Sequence, residues 1–497
     1  MKNRYRVLLC VLLAVLCLSA CGNGIWEETE PPTGDPNAQV TEYTLVAADA
    51  SDLAGLDVYP NLSSLDLRGS TCYAAIMDYI GTHPQVSVLY DVQIGQTLCA
   101  GAATELTLDG GCGYAQLMEK LAYLPELATL HLPKITLSAE ELAELTEQYP
   151  RLAVYYTVEI AGKEVAGDAT KLDLSGLMPE QVDEAAAALA MLPDLADIQL
   201  MNGEGQSNLG MTDVKKLMDA APGANVHYSF QLFGQTLSTA DERVEYVNAD
   251  IGDEGVAQVR QALDILPNCT YFLMDRCRVS NEVMAQLRDD YPDTKIVWRV
   301  YYSAEYSSLT DEEVIRCVEQ LHDENSRDLK YCTDVVYLDI GHSYSLSDLS
   351  FVSNMPKLKV AIVVDCYADT LEPFAACSSL EYLEIVNCNR ITDLSPLANC
   401  KQLKGLNMSY TFSIDDLSPL YGLEHMERLF LGRHDLPQEE IDAVREALPD
   451  CWVTDKSESV AWVGFNYSVG WRLDDEHTFA AWYKEIKEIF GYTREIY

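Results

Sequence analysis

Internal repetition constrains this chain more than any other feature. One segment occurs four times, as Tyr90-Asp-Val-Gln-Ile-Gly95, Tyr156-Thr-Val-Glu-Ile-Ala161, Tyr228-Ser-Phe-Gln-Leu-Phe233 and Trp298-Arg-Val-Tyr-Tyr-Ser303, with first residues 66, 72 and 70 positions apart. Each copy alternates between two faces, which is the period of a strand. Sixteen residues beyond the first three aromatics stand Leu106, Leu172 and Val244, again in alternating segments. Apolar residues at helical spacing lie in between, from Gln181 to Met191, from Gly255 to Leu266, and at Val283, Met284 and Leu287 ahead of Tyr291-Pro292. Each unit of about 70 residues therefore predicts roughly three strands joined by short helices, in a phasing that chance does not produce.

Further along, the period shortens. Leu358, Leu380, Leu403 and Met426 follow one another at 22, 23 and 23 residues. Leu380-Glu-Tyr-Leu-Glu-Ile-Val-Asn-Cys388 resembles the leucine-rich repeat family, in which strand residues alternate and an Asn or Cys closes the turn. Leu403, Leu406 and Met408 repeat the pattern, as do Met426, Leu429 and Leu431. Ile391-Thr-Asp-Leu-Ser-Pro-Leu397 and Ile414-Asp-Asp-Leu-Ser-Pro-Leu420 look like the convex segments of short bacterial surface repeats. The resemblance extends over most of residues 50–450, because three turns of about 23 residues make one long unit. It implies an α/β solenoid with a mostly parallel sheet on its concave side and helices or irregular turns outside. The segments at Tyr90, Tyr156, Tyr228 and Trp298 depart from the family pattern, and extended hairpins are expected there.

The domain reading follows from these periods. Irregular long units occupy 43–333, shorter repeats 334–450, and a C-terminal segment 451–497. No unit of this size buries its apolar face alone, so neighbours must stack. Ahead of them, Lys2, Arg4 and Arg6 precede an apolar run from Val7 to Leu18, then Ser19-Ala20-Cys21. A basic head, a run too short to span a bilayer, and small residues before a break predict an export signal over 1–20. Cysteine directly after the small residues resembles the lipobox of bacterial lipoproteins. That resemblance implies acyl chains on Cys21 and an anchor on the outer face of the cytoplasmic membrane or at the cell surface. The alternative is an ordinary secreted signal with an incidental cysteine. Residues 21–42, with Glu27, Glu28, Glu30, Pro31 and Pro32, read as anchor and flexible linker. A formal charge of -44 repels nucleic acid and anionic lipid surfaces.

Catalytic and metal chemistry find little footing. Twelve cysteines remain after Cys10, Cys17 and Cys21 are set aside, at irregular spacing and without a Cys-x-x-Cys pair. Cys277, Cys366 and Cys388 fall where a repeat closes its turn, and a buried thiol there can donate weakly to backbone carbonyls. A disulfide would be sought first between Cys366 and Cys388. His342, His425 and His434 sit in no His-Glu-x-x-His motif, and no Gly-x-Ser-x-Gly elbow occurs. Gly110 to Gly113 and Asn202 to Gly205 read as turns. No catalytic residue, metal or cofactor is assigned.

The expected site is a surface. With Leu383 and Ile385 inward, the outward sheet positions include Asp66, Arg68, Asp109, Asp173, Asp339, Glu384, Asn407 and Phe430, an array suited to a macromolecular ligand. The C-terminus holds four of the six tryptophans, Trp452, Trp462, Trp471 and Trp482. An open solenoid needs its last apolar layer covered, so these aromatics read first as a cap. The other reading is a sugar or peptide platform built on Tyr467, Trp471 and Arg472. Phe479, Trp482, Tyr483, Ile486 and Ile489 have the spacing of an amphipathic helix. The function expected is non-catalytic recognition or adhesion with a protein partner. The alternatives are an architectural role in the cell envelope and glycan binding through the C-terminal aromatics.

Overall fold

A computed structural model describes residues 35–133, 137–453, 486 and 488–490. The chain divides into two compact units, 1–168 and 169–497. The boundary read from the sequence at 333/334 falls inside the second.

In the first unit β1 (Glu42–Thr44), β2 (Ser64–Asp66) and β3 (Ser87–Leu89) pair in parallel and in chain order. The helix Tyr73–Thr82 returns the chain from β2 to β3 and buries Tyr73, Ile76 and Tyr79. An antiparallel hairpin follows, β4 (Asp91–Ile94) with β5 (Thr97–Ala100). The same series recurs as β6 (Glu105–Thr107), β7 (Thr129–Leu132) and β8 (Ala153–Ile160), where β8 turns back antiparallel into β9 (Lys163–Ala166). The Ser138–Glu141 capping box starts the helix that leads into β8.

The second unit begins with two more copies. β10 (Lys171–Asp173), β11 (Asp197–Gln199) and β12 (Asn225–His227) are parallel, followed by the hairpin β13 (Ser229–Leu232) and β14 (Gln235–Ser238). β15 (Arg243–Val247), β16 (Tyr271–Asp275) and β17 (Lys295–Tyr301) are parallel too, and β17 folds back on β18 (Ser307–Leu309). The chain then lays down seven parallel strands in order: β19 (Val314–Arg316), β20 (Tyr337–Asp339), β21 (Val360–Ile362), β22 (Tyr382–Glu384), β23 (Gly405–Asn407), β24 (Arg428–Phe430) and β25 (Trp452–Val453). Short 3-10 segments such as Ser350–Asn354 and Ser395–Asn399 replace the helices of the long units.

The hairpins anticipated at the four aromatics are therefore present, and each is closed in the same way. Gly101, Gly167, Thr239 and Thr310 donate backbone N–H to the carbonyls of Tyr90, Tyr156, Tyr228 and Trp298, at 2.8, 2.8, 3.0 and 2.9 Å. Where the closing residue is threonine, its Oγ1 also accepts from the aromatic's own N–H. Where it is glycine, the aromatic ring lies across the bare Cα. A Cβ on Gly101 would meet Tyr90 Cζ at 2.1 Å, and one on Gly167 would meet Tyr156 Cζ at 2.4 Å.

The short coils turn at a column of left-handed residues, Glu319, His342, Asp365, Asn387, Tyr410 and Arg433, with φ between 55° and 66°. Each of the first five donates its N–H to a carbonyl of the next coil, which carries the parallel ladder one bond past the strand. The residue after each bend from His342 onward is buried, whereas Gln320 is exposed. In this second column, Cys366 Sγ faces Ile340 O at 3.6 Å, Cys388 Sγ faces Val363 O at 2.8 Å, and Thr411 Oγ1 donates to Ile385 O at 2.7 Å. The turn-closing role expected of the thiols is thus observed. All twelve described cysteines are free, so the pair proposed for bridging, Cys366 and Cys388, is not bridged. Burial pushes the Cys388 thiol up to about 12, a setting for a weak donor rather than a nucleophile.

Candidate functional site

Strand alternation places Leu65, Leu106, Leu130, Ile198, Leu338, Leu383, Leu406 and Leu429 in the core, each at most 4% exposed. Their neighbours stand on the opposite sheet face, and that face differs sharply along the chain.

In the first unit it is open. Asp66 and Arg68 form a bidentate pair, with Nη2 donating to Oδ2 at 2.6 Å. The guanidinium, helped by the Arg68 backbone N–H, holds the Asp66 carboxyl down at about 2. Asp109 is exposed just after β6. Across β6–β8 the outward residues converge: the His131 and Tyr155 rings stack at 4.9 Å and 15°, and His131 Nε2 lies 3.1 Å from Glu105 Oε1. These side chains, with Thr107, Pro133 and Asp168, line an open groove of about 450 Å³. Tyr155 is 48% exposed although aromatic, so its face is available for stacking. The sequence reading passed over this pair, although Leu130-His-Leu132 already places His131 outward.

At the start of the second unit Asp173 is exposed, and its Oδ1 accepts from Ser175 N at 2.9 Å. On the same face Asp197 receives His227, at 3.2 Å, and that bond, with lesser help from Lys171, lowers its pKa. Beyond the strand ends a cavity of about 610 Å³ opens among Ser175, Asn202, Gln206, Tyr228, Gln231 and Thr236. No carboxylate or cation lines it. The stretch Asn202 to Gly205 is a turn, as expected, held by Asn202 Oδ1 accepting from Glu204 N and Gln206 N, with Gly205 at φ 73°.

Over β20–β24 the face is closed, while Val314 and Arg316 of β19 remain exposed. Asp339, Glu384, Asn407 and Phe430 are outward by register, yet they are 3%, 0%, 0% and 2% exposed. These four do not lie on the surface. Val360, Ile362, Val364, Tyr382, Val386 and Phe430 form an apolar cluster that packs with Ile486 and Phe490 from the C-terminal segment. Some polar groups on this face find partners close by. Tyr382 Oη donates to Glu384 Oε1 at 2.7 Å, and Asp339 Oδ1 accepts from Gly341 N at 3.2 Å while Arg316 lies 3.4 Å from its other oxygen. Trp452, at the start of 451–497, meets Phe430 edge-to-face at 5.3 Å. Cys21, Tyr467, Trp471 and Arg472 lie outside the described residues.

Among the described residues no group of three or more His, Cys, Asp or Glu side chains could hold a metal ion. His342 and Asp365, 2.6 Å apart on the left-handed column, are the tightest histidine–carboxylate pair among the described residues. The Asp365 bond raises the His342 pKa against burial. Burial also opposes ionisation of Asp365, but bonds from His342 and Asn387 outweigh it and hold that pKa low.

Residues 378–425 match the family model for leucine rich repeats in two copies. No curated protein matches the chain. Among solved structures, an internalin from Listeria monocytogenes is 16% identical, covering 81% of this chain and 78% of its own at a TM-score of 0.25. Internalin C2 of the same organism is also 16% identical, covering 56% of this chain and 91% of its own, with a TM-score of 0.25. A leucine-rich repeat protein of Leptospira interrogans is 12% identical, covering 84% of this chain and 97% of its own, at 0.23. At such identities and TM-scores these likenesses say nothing about a ligand.

Proposed function

We propose that this chain is a non-catalytic binding protein whose ligand is another protein, engaged by the outward sheet faces. In this reading each unit is a solenoid of stacked coils, with the aromatic C-terminal segment as cover. Export and an acylated Cys21 would hold it at the outer side of a bacterial membrane, with residues 22–42 as tether.

One observation carries the reading. The open face of β6–β8 presents an aromatic stack, His131 on Tyr155, beside Glu105 and a groove of about 450 Å³. A rigid parallel sheet holds these groups at fixed spacing, so their order is settled before binding. An exposed aromatic flanked by polar groups is the usual composition of an interface anchor. A second reading, a neutral glycan, rests on the uncharged cavity near Asn202, Gln206 and Gln231. Amide side chains there can donate to and accept from hydroxyls, and no charge must be desolvated.

The test is capture by the immobilised mature chain from membrane and secreted proteins and from a glycan array. The protein reading expects one saturable partner whose retention drops at least about tenfold with Tyr155→Ala, a typical cost for an anchor. Retention unchanged by substitutions on the β6–β8 face would sink it. Capture by glycans, lost on Gln231→Ala, would favour the second reading.

A further inference from the structure

The closed face of the short coils is not built like a finished core. Ile486 and Phe490, each 4% exposed, sit one helical turn apart, with Phe490 N donating to Ile486 O at 3.1 Å. Both point into the cluster of Val360, Ile362, Val364, Tyr382, Val386 and Phe430, and Phe490 meets the half-buried Tyr337 ring edge-on at 6.0 Å. Glu488 between them is exposed, and Ile489 is half-exposed. One turn therefore lies against the sheet through two apolar residues four positions apart.

Two further features bear on whether that contact is permanent. First, among the described residues β19–β25 pair only with one another, and the Leu338, Leu383, Leu406 and Leu429 layer lies on the opposite face. Second, the covered floor contains polar atoms with no partner among the described residues. Asn407 Nδ2 and Ser409 Oγ are both fully buried and unbonded. Buried polar groups in a permanent interior are nearly always satisfied. A face that opens supplies water to such groups in the open state, and burying them unpaired weakens the closed one.

We infer that the outward face of β20–β24 is a docking groove for an amphipathic protein segment, and that the chain's own C-terminal turn is its resident occupant. A partner segment with large apolar residues four apart binds there only by displacing Ile486 and Phe490. This rests on the reading of the sheet faces as recognition surfaces, and adds self-occlusion of one of them.

The test uses the full mature chain and a fluorescent peptide of residues 479–497, followed by anisotropy. The variant Ile486→Ala/Phe490→Ala should bind the peptide saturably. The wild type should bind it about 100-fold more weakly, because the tethered copy competes at high effective concentration. A peptide with alanine at both positions should bind neither. A variant that unfolds cooperatively like the wild type yet ignores the peptide overturns the inference, as does equal binding to both proteins. Hydrogen exchange on the unmodified chain is an independent check should the variant fail to fold. The Phe490 amide should exchange at least about tenfold faster than the amides of β21–β24, since a local opening needs less free energy than loss of the sheet. Equal rates would make the segment part of the core and refute displacement. Partner capture failing while the peptide binds would count against the recognition reading alone.

Discussion

Gly101→Ala should destabilise the first unit, and the structure says through which atoms. The φ of Gly101 lies outside the left-handed region, so alanine meets no backbone objection. The obstacle is the Tyr90 ring, whose Cζ, Cε2 and Cε1 would lie 2.1, 2.3 and 2.4 Å from the new methyl. Ordinary contact requires the ring to retreat by more than an ångström. Tyr90 is only 7% exposed, and its hydroxyl donates to Tyr123 O at 2.9 Å, so retreat strains the packing and breaks that bond. Overpacking costs about 1–3 kcal/mol and the hydrogen bond about 1 kcal/mol, together about 2–4 kcal/mol. For a unit of this size the melting temperature should fall by roughly 4–16 °C. Circular dichroism gives the transition, and hydrogen exchange over residues 87–133 assigns it to the first unit. Two comparisons isolate the cause. Gly81→Ala, whose Cβ meets nothing within 4 Å, should be neutral or stabilising by up to about 1 kcal/mol in its helix. In a Tyr90→Ala background, Gly101→Ala should cost under about 0.5 kcal/mol, because the clash is gone. The reasoning fails if Gly101→Ala unfolds like the wild type, or costs as much without the ring as with it.

Other expectations are as direct. Leu383→Asp places a charge between Ala361 and Leu406 in a fully buried row and should cost more than about 4 kcal/mol, read as loss of the cooperative transition of the second unit. His342 has a raised pKa in the folded chain, so its contribution to stability is fully present below its ordinary 6.5 and is lost as pH rises through the folded value. Asp365→Asn should flatten the part of the stability profile that falls as pH rises above 6.5; an unchanged slope would show that the pair is not its source. Cys21→Ser should release the chain from membranes with its unfolding transition unaltered, and continued lipid labelling would remove the anchor from the proposal.

The strands were legible because parallel coils write their register into the sequence. The 22- and 23-residue spacings of Leu358, Leu380, Leu403 and Met426 mark consecutive coils, and the inward placement of Leu383 and Ile385 holds, both being fully buried. The hairpins were legible from the aromatic phasing. Occupancy of the outward face was not. Alternation tells which side of a sheet a residue takes, but not what lies against that side. Glu384 and Asn407 are polar and outward, and both are buried all the same. A signal was nonetheless present: Val360-Ala-Ile-Val-Val364 is apolar at every position, as in strands covered on both faces, and all five residues are buried. The spacing of Ile486 and Ile489 suggested one buried stripe, whereas the turn presents Ile486 and Phe490.

The chain-ordered pairing of β19–β25 bears on how this sheet assembles. Among the described residues each strand bonds only to its neighbours in sequence, so no contact in the ladder waits for a distant segment to arrive. Loop closure is short at every step, and growth can begin at any coil and run in either direction. Damage should follow the same rule in reverse. A coil broken near Val453 would fray back one layer at a time, and the layers toward Val314 would keep their shape long after the end had let go.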